Sequence, residues 1–136
     1  MTNTKNFTRL DYGLFLMRFT LAFILIHHGG QKLFGIWGGP GLEGFGAWLG
    51  SMGVPMPSVS AFLAAAAEFF GGIALLLGVY VRIAAIPAAF TLLVGGFMAH
   101  SGLTEREYPL SLALFLMAFA LIGGGAINVQ KYIVKP

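Results

Sequence analysis

The apolar positions of this chain fall into four runs, residues 12–34, 62–79, 83–101 and 110–127, separated by stretches richer in glycine, proline and charge. Each run approaches the roughly 20 residues an α-helix needs to cross the hydrocarbon core of a bilayer. The pattern predicts an all-α chain, an integral membrane four-helix bundle. With 136 residues in all, little is left for a second domain. Residues 35–57 carry a different pattern. Leu42, Phe45, Trp48, Leu49 and Met52 recur at i, i+3, i+4 spacing, the signature of a helix with one apolar face. This predicts a short amphipathic outer-loop helix lying at the interface and capping the bundle. Pro55 and Pro57 are expected to end it, Ser58 or Ser60 to cap the second span, and Pro109 to occupy the first turn of the fourth. Ser60, Ala64, Glu68 and Gly72 on the second span, and Ala84 and Ala88 on the third, mark faces for close helix packing.

Composition strengthens the membrane reading. Only 10% of residues are charged and mean hydropathy is +0.83, whereas a soluble domain carries about 25% charged residues. Such a chain cannot cover a water-facing surface. Lys5 and Arg9 ahead of the first run resemble the start of a secretory signal, but Arg18 interrupts the run and no small-x-small cleavage site follows it, so the segment is expected to be retained. There is no cysteine, which excludes thiol and disulfide chemistry by the chain itself. The net charge of +3 is juxtamembrane, with no basic stripe for nucleic acid.

The same charges set orientation. Lys5, Arg9, Arg82, Lys131 and Lys135 fall on one side, and the loop holding Glu43 and the segment Glu105-Arg106-Glu107 on the other. Both termini are therefore expected to be cytoplasmic, with residues 35–57 outside. Lys32, at the outer end of the first span, is the exception.

Two charges lie deep inside the apolar runs, Arg18 and Glu68, with Lys32 near the end of the first. A charge at that depth costs roughly 3 kcal/mol on insertion scales, so it is normally paired, turned inward or used. At about 100° per residue, Asp11, Arg18, His28 and Lys32 form one polar stripe on the first span, and His27 lies opposite. Glu68 falls about 12 Å below the outer end of its span, level with His28 at about 9 Å and within reach of Lys32 at about 3 Å. Arg18, about 24 Å down, is not its partner. His100 joins the outer layer. The expectation is a pocket of His28, Lys32, Glu68 and His100 under the amphipathic helix. Competing readings are that Arg18 snorkels to lipid phosphates, that Glu68 is a neutral, hydrogen-bonded acid that only ties helices together or a structural ion pair with Lys32, that His27 makes an interfacial or oligomer contact, and that His100 is a loop-end histidine. Adjacent histidines point about 100° apart and cannot chelate one metal, so no metal site is expected. His28 with His100 as haem ligands is a remote alternative.

The elements Arg18…His28-Gly29-Gly30-Gln31-Lys32-Leu33-Phe34 and Glu68-Phe69-Phe70-Gly71-Gly72-Ile73-Ala74-Leu75-Leu76-Leu77-Gly78 with the following Arg82 resemble the DoxX family of small bacterial and archaeal membrane proteins. The resemblance implies a four-helix membrane bundle in the cytoplasmic membrane and a link to respiratory or redox-stress functions, some relatives being quinone-linked subunits. It carries the family's recurrent charged positions onto Arg18, Lys32, Glu68 and Arg82. The resulting expectation is a membrane redox subunit that interacts with quinone. Glu68 and His28 are its catalytic candidates. Lys32, His28, Glu68, His100, Arg18 and Arg82 are its binding candidates, and Phe69 and Met98 line an apolar slot. Electrons would come from a partner redox protein. The alternatives are a structural or assembly subunit, and a proton or solute transporter acting as a homo-oligomer.

Overall fold

In the computed structural model, which describes residues 6–99 and 101–134, the first helix, α1 (Arg9–Phe34), starts at Thr8. The Thr8 hydroxyl accepts from the Asp11 amide at 3.3 Å, and the Thr8 amide donates to Asp11 Oδ2 at 2.8 Å, a reciprocal cap. Asp11 is thus a capping residue rather than part of an interior polar stripe. Gly35, at φ 68°, ends α1 in the left-handed region.

The outer-loop helix forms as α2 (Gly41–Ser51), with Phe45 and Gly46 buried. It stops at Met52 and Gly53, before Pro55, and Gly53 takes φ 78°. Pro57 does not end α2; it opens α3 (Pro57–Leu77) at a first-turn position, where its missing N–H costs nothing. The second span therefore begins five residues earlier than the apolar run indicates. Neither serine caps it: Met56 holds the N-cap position at φ 46°, and the Ser60 hydroxyl donates to the Pro55 carbonyl at 2.8 Å.

Gly78 and Tyr80, both with positive φ, turn the chain into α4 (Val81–Ala99). α5 (Leu103–Ile122) then begins seven residues ahead of its apolar run, so Pro109 lies inside it rather than in its first turn. It also ends five residues before that run does, because Gly123 breaks it at φ 81°. The chain folds back to a single last turn, α6 (Gln130–Ile133).

The described residues contain helices and no strand. α1, α3 and α4 are long and apolar enough to cross a membrane. α1 lies along α3, α4 along α5, and α3 joins the two pairs through α4, while α2 rests on α3 and touches α1. Glycine sets the closest approaches. A Cβ on Gly72 would stand 2.9 Å from the Ile26 nitrogen, and one on Gly29 would stand 2.7 Å from the Phe69 Cα.

Two apolar cores result. One gathers Leu21, Leu25, Leu75, Ala85, Leu116 and Phe119 toward the α3–α4 turn. The other packs Phe45 of α2 on Ala61 and Ala65 of α3. Both lie beside the cavity described next.

Candidate functional site

Glu68 is 1% exposed, and the Lys32 ammonium reaches both of its carboxylate oxygens, at 2.7 and 2.8 Å. α1 and α3 bring the two together because the Gly29–Phe69 contact, one residue from Glu68 and three from Lys32, lets the helices close up. The remaining side of the ammonium faces the Phe45 ring of α2, whose centroid is 5.2 Å away. Burying the Glu68 charge is costly, and the half-buried Lys32 offsets the cost through paired charge and two hydrogen bonds, with an aromatic face beside it.

The pair lies in the wall of an open cavity of about 890 Å³, within the range of small-molecule pockets. Phe45, Trp48, Leu49 and Met52 of α2 roof it, as the periodicity of residues 42–52 indicates. His28 stands one turn along α1 from Lys32, and Tyr108 reaches across from α5 to place its hydroxyl 3.5 Å from His28 Nε2. The rest of the lining is predominantly apolar, Met98 included. Lys32, His28 and Tyr108 can hydrogen-bond a polar headgroup. Glu68 presents its carboxylate to the same space, with both oxygens accepting from Lys32. A headgroup with carbonyl or hydroxyl oxygens on an apolar body fits this donor set.

The other sequence candidates lie elsewhere. Arg18 is 1% exposed, but it does not line the cavity and does not reach lipid phosphates. It donates to the backbone carbonyls of Gly124 and, at 2.6 Å, of Ile127, with its Cζ 5.6 Å from the Phe15 ring centroid. Arg82 is exposed at the same end and packs over Gly123, whose Cβ position lies 3.2 Å from Arg82 Nε. His27 turns to the opposite face of α1 and stacks on Trp37 at 5.1 Å. Phe69 packs edge-on against Phe34 at 5.1 Å instead of lining the cavity. His100 lies outside the described residues.

Tyr108 is the lining residue that sequence reasoning passed over. It reads as an interfacial aromatic, and only the packing of α5 beside α4 carries it to His28. No group of three or more His, Cys, Asp or Glu that could hold a metal occurs among the described residues.

With this geometry in hand, a model of the DoxX family matches residues 13–101, more than half of the chain. The chain belongs to the DoxX family. The matched region takes in α1 to α4 and every cavity-lining residue except Tyr108, Pro109 and Leu112. No curated protein and no solved structure matches the chain. Three apolar helices and membership of the membrane-embedded DoxX family make it a multi-pass membrane protein with its helix flanks against lipid.

Proposed function

We propose that this DoxX protein is the membrane subunit of a respiratory or redox-stress system and binds a quinone in the cavity beneath α2. The observation that carries the reading is the Lys32–Glu68 pair in the wall of a predominantly apolar cavity. A bound quinone supplies two-electron, two-proton chemistry. The chain supplies hydrogen bonds from Lys32, His28 and Tyr108, a carboxylate at Glu68 for proton transfer, and predominantly apolar walls. Electrons pass to or from a partner redox protein. In this reading α5 is a fourth span, completing a four-helix bundle in a bacterial or archaeal cytoplasmic membrane. Both termini are cytoplasmic and α2 lies on the outer face.

Binding to the folded state stabilises it by mass action, by about 2.7 kcal/mol at about 100 times the dissociation constant. The purified wild type should rise in melting temperature with a soluble benzoquinone, and His28→Ala and Glu68→Gln should rise much less. A flat wild-type response, with native lipid present, would favour an assembly subunit or a small transporter. Equal shifts in all variants would place the ligand in the lipid-facing grooves.

A further inference from the structure

The cavity has four side walls, and two of them are sealed by close contacts while a third is bridged by a polar approach. Between α1 and α3, Gly29 lies against the Phe69 backbone. Between α4 and α5, a Cβ on Gly96 would stand 3.2 Å from Pro109 Cγ. Between α1 and α5, Tyr108 leans on His28, with Leu25 and Leu112 behind them.

The fourth wall, between α3 and α4, is different. These helices meet near their shared turn, where a Cβ on Gly71 would stand 3.4 Å from both the Ala84 carbonyl oxygen and Ala88 Cβ. Nearer α2, Leu63 and Ala67 on one side and Phe90 and Gly95 on the other line the cavity instead. Leu63 and Phe90 are also 61% and 67% exposed. Gly95 has nothing within 4 Å of its Cβ position, unlike Gly96 beside it. A gap bordered by small and apolar residues opens here onto the flank of a membrane protein.

We infer that the α3–α4 gap at Gly95 is a lateral portal that holds a long apolar tail, with the polar headgroup at Lys32 and Glu68. The occupant is an alkyl or polyisoprenoid chain. Leu63, Ala67, Phe90 and Gly95 offer a polar solute no side-chain partner, the Thr91 and Ser60 hydroxyls nearby donate to the chain's own Pro87 and Pro55 carbonyls, and the cavity is larger than a single-ring headgroup fills. The tail belongs either to the redox ligand or to a bilayer lipid. The assignment to the ligand rests on the quinone reading.

The open space at Gly95 provides the probe. Gly95→Phe places a ring at the gap from a Cβ position that has open space around it, and Gly95→Leu is a milder version. Leu114→Phe, on the exposed face of α5, is the control. Affinities for a ring-only dimethoxy-methyl-benzoquinone and for its decyl derivative are measured in one detergent, so that partitioning is common to all variants. The wild type and Leu114→Phe should bind the decyl compound at least about tenfold tighter, the effect of about two buried methylene groups. Gly95→Phe should reduce that advantage, taken as the ratio of the two affinities within one variant, to below about twofold. A tail advantage that survives Gly95→Phe and Gly95→Leu would overturn the portal while leaving the quinone reading standing.

If the wild type binds neither compound, the quinone reading fails and native mass spectrometry decides the portal. A co-purified lipid retained by the wild type and lost from Gly95→Phe supports a portal that takes a lipid chain. Equal lipid retention overturns it.

Discussion

At the scale of single residues, the chain solves its two buried charges in different ways. Glu68 is neutralised by a cation one helix away, while Arg18 is held by backbone carbonyls. The Glu68 solution creates a strong dependence between two residues. Removing Lys32 strands a buried carboxylate, and removing Glu68 strands an ammonium among apolar walls. In a double-mutant cycle on stability in detergent, Lys32→Met and Glu68→Gln should therefore couple by more than about 0.5 kcal/mol, with the double variant less damaged than the sum of the singles. Additivity within error would mean that the two side chains do not meet. The level of Glu68 against Lys32 was readable from helical rise alone. Tyr108 against His28 was not, because a residue at the head of one helix meets a partner on another only after both helices are packed.

At the scale of elements, glycine has opposite meanings at different sites. Gly29 and Gly72 are where α1 and α3 nearly touch, so a methyl group there collides with backbone. Gly29→Ala and Gly72→Ala should each destabilise by about 1–3 kcal/mol, the ordinary cost of overpacking. Gly95 borders open space, and Gly95→Ala should be neutral or stabilising, by up to about 1 kcal/mol from helix propensity. Thermal unfolding of the three variants checks this; similar losses in all three would remove the distinction. A hydropathy pattern cannot rank these glycines, since each merely reads as small. It also misplaced the ends of α3 and α5. Pro57 starts a helix because a proline at the first turn forfeits no hydrogen bond, and α5 extends into the charged Glu105-Arg106-Glu107 turn that hydropathy assigns to a loop.

At the scale of the whole molecule, Arg18 locks the segment after α5 onto the far end from α2. The Val129 amide donates to the Leu77 carbonyl at 3.0 Å, and the Tyr80 amide donates to Gln130 Oε1 at 2.9 Å, so the α3–α4 turn is held as well. Arg18→Met should speed hydrogen exchange at the Val129 amide at least about tenfold, a loss of about 1.4 kcal/mol of local protection. The amides of α2 should not respond. Unchanged exchange at Val129 would show that the segment docks without Arg18. Orientation is a second whole-molecule test, simplified by a parent without cysteine. Under the proposed topology, a cysteine at Glu43 should react with a membrane-impermeant maleimide on intact cells and one at Lys131 only after permeabilisation. The reverse pattern would invert the protein.

The sequence by itself determined what depends on local or one-dimensional information. Apolar runs that approach the thickness of the hydrocarbon core demand helices in a membrane, the spacing of Leu42 to Met52 defines a helix with a roofing face, and a rise per residue sets Lys32 near Glu68. The tertiary structure alone decided which walls of the cavity close and which stays open. It also decided that Arg18 serves the chain's own carbonyls and that Phe69 turns away from the cavity to Phe34. These outcomes depend on crossing angles and on which glycine meets which backbone, and side-chain contacts between helices distant in sequence are not encoded in any single helix's pattern.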